Sequence, residues 1–412
     1  MFWRQRRYIV ALMLFLGFFN VYSLRVNVSI AIIPMIYGVK SKSHGLTKHF
    51  DWNSKEQGLA LSSFFYGYIC TQFIGGVCAN KIGGRRLFGL GIFLTAVLTL
   101  LSPLAAKAGL GYFIALRAIE GVCEGVTYPS LHAIWSKWAP TYERSQLNSF
   151  AFSGSYIGTV VMMPLLGWIA RIHGWETVFY VTGLLACVWY VFWLILVKES
   201  PEVDPYISEE EKKYICESLG KNTEDDKTSE SEKVPWKAIF TSKPVYAIVA
   251  ANFSENWGFY TLLTQLPTFL KDTTNLNLET SGFISGLPYL VMAVMLIPSG
   301  FLADFCQIKG YLTTTQVRRY FNCGGFTSQT IFMLLAAYLA HPIYSIMSLV
   351  AAVGLGAFSI SGFAVNHLDI APQFSSILMG ISNTAGTLPG ILSPIITGFI
   401  VQNKVIFFNF IS

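Results

Sequence analysis

Residues Arg117–Ser145 read RAIEGVCEGVTYPSLHAIWSKWAPTYERS. The stretch begins inside an apolar run that starts near Tyr112. It carries Arg117, Glu120, Glu124 and His132 where a soluble core or a bilayer should carry no charge. Ionisable side chains at membrane depth are costly, and they face a bundle interior or a watery path rather than lipid. At about 100° per residue, Arg117, Glu120 and Glu124 fall within about 60° of one another on a helix. That face is turned to water or to other helices. Two roles are open: an internal ion pair, Arg117 with Glu120 or Glu124, that locks the helix, or part of an ion or substrate path.

The rest of the chain supplies the membrane. Its 412 residues are 53% hydrophobic and 13% charged, with 32 Phe and 10 Trp, whereas soluble domains carry about 25% charged residues. The composition is that of an integral membrane protein, and at about 20 residues per span eleven or twelve spans fit. The net charge of +6 comes mostly from Lys and Arg between apolar runs, which is topogenic charge and not a nucleic-acid face. The seven Cys show no disulfide framework, and no CxxC or His/Cys cluster indicates a metal site. The start, MFWRQRRYIVALMLFLGFF, resembles a signal peptide, but its apolar run continues through Arg25 to Ile33 without a cleavage site and reads as a retained first span.

Eleven apolar spans are legible in three blocks: an N-terminal six-helix half over 1–197, a polar linker over 198–243, and a C-terminal half over 244–412. The linker holds a possible short helix at Ser208–Leu219 and a Ser/Glu/Asp/Lys-rich stretch, Gly220–Lys233, with the composition of a mobile segment. Arg4, Arg6 and Arg7, then Lys81, Arg85 and Arg86, then Lys137 and Arg144, then Lys309, Arg318 and Arg319 fall on one side, so the N-terminus and linker are expected in the cytoplasm. A repeat joins the halves. Gly76-Val-Cys-Ala79-Asn80 leads to Arg85-Arg86, and Gly300-Phe-Leu-Ala303-Asp304 leads to Arg318-Arg319, an offset of 304 − 80 = 224 residues. Two similar halves around a polar linker mark a transporter of parallel repeats with its substrate site between them.

Gly76–Arg86 resembles the loop motif G-x-L-x-D-x-x-G-x-R of the major facilitator superfamily, with Asn80 at the usual Asp and Gly83, Arg85 and Arg86 following. RVNVSIA (Arg25–Ala31), EGVTYPSLHAIWSKWAPTYERS (Glu124–Ser145), GFYTLLTQLPTFL (Gly258–Leu270) and SGFAVNHLDIAPQFSSILMGISNTAGTLPG (Ser361–Gly390) are similar to the anion/cation symporters. That family holds sialin, the vesicular glutamate transporters and the sodium–phosphate cotransporters. The resemblance implies an all-α major facilitator fold of two six-helix halves, here with about eleven spans, whose spans 1, 4, 7 and 10 line a central cavity. It implies a symporter for an anion, inorganic phosphate or a small organic carboxylate such as sialic acid, driven by Na⁺ or H⁺, in the plasma membrane or a lysosomal or vesicular membrane.

Arg25 (span 1), Arg117, Glu120, Glu124 and His132 (span 4), Glu255 (span 7), and His367 and Asp369 (end of span 10) all fall on those four spans. Arg25 and Arg117 are candidates to hold the substrate's anionic group, with a permanent ion pair as the alternative. Glu255 and His132 complete the candidate substrate residues, and Glu120 and Glu124 are candidate coupling carboxylates. His132 is alternatively a satisfied core histidine. Glu255 stands where the resemblance places Arg in vesicular glutamate transporters, which sets the comparison closer to the sialin and phosphate types. Asn80, Gly83, Arg85, Arg86 and Asp304 form the expected gating-loop motif.

No HExxH, GxSxG or P-loop is present, so an enzyme or a directly ATP-driven pump is not expected. The partners expected are a small anion and the lipid bilayer, with no cofactor beyond the coupling ion, no metal, no nucleic acid and no obligate protein partner. A receptor, a channel-like protein or an inactive truncated isoform is the competing reading. After Ile400 only VQNKVIFFNFIS remains. Its apolar part is shorter than the about 20 residues of a span, so a twelfth span is expected to be missing and Ser412 to lie on the outer or lumenal side.

Overall fold

The computed structural model describes residues 5–37, 40–41, 45–46, 50–220, 234–274, 278–339 and 341–411. Fourteen α-helices occupy them: α1 (Arg6–Tyr37), α2 (Ser54–Ile82), α3 (Gly84–Ala108), α4 (Leu110–Glu124), α5 (Thr127–Trp138), α6 (Arg144–His173), α7 (Trp175–Leu196), α8 (Glu209–Ser218), α9 (Trp236–Thr241), α10 (Lys243–Thr274), α11 (Leu278–Ile308), α12 (Thr314–Tyr338), α13 (Pro342–Ile370) and α14 (Ser375–Ile411). A two-residue antiparallel pair, β1 (Lys40–Ser41) and β2 (Gly45–Leu46), sits between α1 and α2. Six of the described helices are long and apolar enough to cross a membrane. The protein is an all-α membrane protein of about eleven span-length segments, with α4 and α5 sharing one.

The division of the fourth span has a local cause. Pro129 has no N–H to give the carbonyl of Gly125, and the helix breaks into a turn at Gly125–Val126. The bonds on either side survive, Gly125 N–H to Gly121 O at 2.9 Å and Ser130 N–H to Val126 O at 3.1 Å. Gly121 and Gly125, four apart, let α4 approach α2 so closely that a Cβ at Gly121 would collide with the Phe64 carbonyl. Small residues at this spacing bring membrane helices into backbone contact.

The repeat is visible in the packing. Gly76 on α2 leaves room for the start of α14, where an added Cβ would lie 2.5 Å from Ser376 O. Gly300 on α11, 224 residues later, does the same for the start of α6, at 2.6 Å from Ser145 O. Asn80 donates its amide to Gln373 O just before α14. Asp304 accepts from the N–H groups of Ser145 (3.2 Å) and Gln146 (2.7 Å) in the first turn of α6. A carboxylate there meets the exposed amides and the positive end of the helix dipole. Each half thus holds the first turn of a helix of the other. Ser149 on α6, Ser361 on α13 and Ser299 on α11 continue this seam through hydroxyl contacts of 3.0 and 2.8 Å.

The possible linker helix at Ser208–Leu219 is α8, capped by the Ser208 hydroxyl, which accepts from Glu211 N–H at 3.2 Å. It braces the N-terminal half. Glu211 accepts from the backbone N–H groups of Arg6 (2.8 Å) and Arg7 (3.1 Å), capping α1. Tyr214 donates to Glu143 at 3.1 Å, and burial, followed by the Glu143 charge, raises its phenol to about 12, so it remains a donor. The Gly220–Lys233 stretch lies outside the described residues but for Gly220. α14 runs past the expected end of span 11 at Ile400, as one helix to Ile411.

The glycine contacts give a direct expectation. Gly121→Ala should destabilise the protein by about 1–3 kcal/mol or more, because the obstructing atom is backbone and cannot move aside. Gly167→Ala, with no neighbour within 4 Å, should leave the melting temperature of detergent-purified protein unchanged.

Candidate functional site

A cavity of about 70 Å³ lies where the two halves meet, walled by α1, α2, α5, α6, α10, α13 and α14. Eight of its eighteen described lining residues are aromatic, and among them only Arg25 and Glu255 carry charge. Arg25 projects from α1 into a nest of rings, with its guanidinium carbon 4.4 Å from the Tyr68 centroid, 4.9 Å from Tyr22 and 5.4 Å from Phe64. Such stacking suits a planar guanidinium more than an ammonium. The hydroxyls of Tyr22 and Tyr128 meet at 3.2 Å behind it.

Arg25 is not alone. Its Nε donates to Glu124 Oε1 in an ion pair whose carboxylate is fully buried. One nitrogen of the guanidinium, Nη2, and the second oxygen of Glu124, Oε2, have no hydrogen-bond partner among the described residues. Glu255 enters from α10 and accepts from Ser359 Oγ at 3.1 Å. Asn252, Asn256, Asn383 and Thr387 add neutral polar groups to the wall.

The other sequence candidates lie elsewhere. Arg117 and Glu120 pair with each other, three residues apart, and Ser102 Oγ donates to Glu120 Oε1 at 3.0 Å. Both are buried between α3 and α4, away from the cavity wall. Of the two roles open for this charged face, the structure shows Arg117 and Glu120 in an internal pair, and neither is among the described residues of the cavity wall. Glu124, one turn on, reaches Arg25 instead. His132 does not line the cavity either. It stacks on His367 of α13 with ring centroids 4.9 Å apart, and neither His132 nitrogen has a hydrogen-bond partner among the described residues. It is therefore not the hydrogen-bonded core histidine of the alternative reading.

Asp369 is shared by two arginines across the seam, Arg144 Nη1 at 3.2 Å and Arg318 Nε at 2.7 Å. In the loop motif, Gly83 has φ +103° and the Glu199 carboxylate 2.7 Å from where a Cβ would stand, so only glycine fits. Arg85 donates to Leu194 O at 2.8 Å, and Arg86 is exposed. Sequence reasoning missed Tyr22 and Tyr156. Tyr22 was within reach, lying three residues before Arg25 on the same helical face. Tyr156 carries no such signal.

The sequence profile of the Major Facilitator Superfamily matches residues 10–394. The chain belongs to that superfamily. Vesicular glutamate transporter 2 of Homo sapiens is 44% identical over 403 residues, covering 97% of this chain and 69% of its own length. Vesicular glutamate transporter 1 of Xenopus tropicalis is 44% identical, with 97% and 70% covered. These relatives place the chain in the anion/cation symporter group, and it is a membrane transporter. The fold is shared with the E. coli fucose:proton symporter (TM-score 0.68, 11% identity, 97% of this chain and 93% of that one) and with a proton:xylose symporter (0.66, 17%, 97% and 89%).

The buried pair sets an expectation that separates packing from binding. Removing one partner of a buried pair costs roughly 3–5 kcal/mol because the other is left uncompensated. Arg25→Ala should therefore express poorly, and Arg25→Ala with Glu124→Ala should recover folded yield, measured by size-exclusion chromatography, without recovering uptake.

Proposed function

We propose that the protein is a secondary active symporter of a small anion, driven by H⁺ or Na⁺, with Arg25 as the anion clamp and Glu124 as the counter-ion that the anion displaces. The observation that carries this is the half-satisfied pair: a buried guanidinium nitrogen and a buried carboxylate oxygen without a partner among the described residues, with Arg25 itself on the wall of a cavity that both halves build. An arriving carboxylate or phosphate oxygen matches the guanidinium fork better than one Glu124 oxygen does. Glu124, released at a fully buried position, is then uncompensated. Taking up a proton relieves that cost and links the anion to the driving ion.

The relatives are named for vesicular glutamate transport, which supports an anionic substrate and a vesicular or related membrane for this chain. Alternating access would proceed by the halves separating along the seam of Asp304, Asp369 and the serine contacts, around a site that stays in place. Arg117 with Glu120 then serves as a fixed strut beside the moving pair, while the His132–His367 contact crosses the halves and would part with them.

Labelled-anion uptake into sealed vesicles under imposed Na⁺ or H⁺ gradients tests the reading. Arg25→Lys should lose about tenfold or more of uptake at unchanged expression, since Lys keeps the charge but cannot form the fork. Glu124→Gln should retain anion exchange across the membrane and lose gradient-driven accumulation. Near-normal uptake by the Lys variant, or uphill accumulation by the Gln variant, contradicts the assignment.

A further inference from the structure

The central cavity has two poles, and the function argued above uses only one. Glu255, 8% exposed, is the second charged group of the wall. Its hydrogen bond comes from the Ser359 hydroxyl, and among the described residues no ion pair reaches it. An ionised carboxylate at this depth calls for a positive or hydrogen-donating partner. Ser359 supplies one neutral donor, and among the described residues no positive side chain joins it.

We infer that Glu255 receives the positively charged end of the substrate, so that the cavity selects a small dipolar ligand with a carboxylate on Arg25 and an ammonium group on Glu255. The inference rests on Arg25 being the anion clamp and narrows the substrate class. Three features of the wall agree with it. Arg25 is the one cation among the described lining residues and is already shared with Glu124, so a second negative charge on the ligand would meet Glu255 unopposed. Inorganic phosphate and dicarboxylates are disfavoured for that reason. Aromatic rings share the wall with Glu255: Phe259, one helical turn after it on α10, lies 6.0 Å from Tyr156 and 5.3 Å from Tyr260, centroid to centroid. An acid beside aromatic faces is the chemistry that recognises an ammonium. The remaining lining groups from α14, Asn383 and Thr387, are neutral and compete with neither pole.

The test is equilibrium binding to the detergent-purified full chain, by calorimetry. The probes are the ω-amino acids from glycine to 5-aminopentanoate, propionate, succinate and inorganic phosphate. The best ω-amino acid should bind about tenfold or more tighter than propionate, succinate or phosphate. In Glu255→Gln, checked for an unchanged melting temperature, that advantage over propionate should disappear and succinate should gain. Glu255→Asp should keep the preference but shift its optimum to a longer ω-amino acid. Wild-type preference for succinate or phosphate, or a ranking unmoved by Glu255→Gln, overturns the inference, including the case where only the pH dependence changes because Glu255 takes a proton instead. The double variant Arg25→Ala with Glu124→Ala, which recovers folded yield, separates the two readings. If it leaves ω-amino acid affinity unchanged, the anion clamp fails independently of Glu255.

Discussion

A charge taken out of water must be met by another charge, and in this protein that requirement fixes Arg25 against Glu124. The pair joins α1 to α4, and it is sheathed by Tyr22, Tyr68 and Phe64. Both groups are as expensive to bury as any in the chain, and each keeps one polar atom unmatched. A pair that served only to hold helices together would gain from closing that gap. Glu120, a turn away, is the fuller carboxylate, with one oxygen met by Arg117 and the other by Ser102, although Arg117 Nε is left without a partner among the described residues. The contrast between the two carboxylates is what separates a strut from a site.

The seam between the halves sets polar contacts beside apolar packing. Asp304 and Asn80, related by the repeat, each bond the start of a helix in the opposite half, Asp304 in the first turn of α6 and Asn80 just before α14. Asp369 ties Arg144 to Arg318, and three serines bridge α6, α11 and α13. Hydrogen bonds of this kind can be exchanged for water at modest net cost, unlike the interdigitated side chains inside each half. The seam is thus the part of the structure suited to opening, and the halves are the parts suited to moving as bodies.

Much of this was legible in the residues. The spans, the polar linker, the helix at α8 and the 224-residue repeat all follow from hydropathy, capping and spacing. The charged positions that matter were also visible, because a charge inside an apolar run stands out whatever the fold. Their pairing was not. Helical periodicity puts Arg117, Glu120 and Glu124 on one face, yet Glu120 pairs within its own helix while Glu124 reaches across to Arg25 ninety-nine residues earlier. Only the α2–α4 approach at Gly121 and Gly125 and the break before Pro129 decide that division. The stacking of His132 on His367 depends on how the two halves meet, and neither residue's local sequence encodes it.

The account stands or falls on whether an arriving anion displaces Glu124. Infrared difference spectroscopy of the purified protein reads this directly, with a carbon-13-labelled carboxylate ligand so that its own bands are shifted away. Adding ligand at constant pH should produce the carbonyl stretch of a newly protonated carboxylic acid, and the band should vanish in Glu124→Gln while ligand still binds. No such band on binding, or one that persists in Glu124→Gln, would contradict the exchange on Arg25.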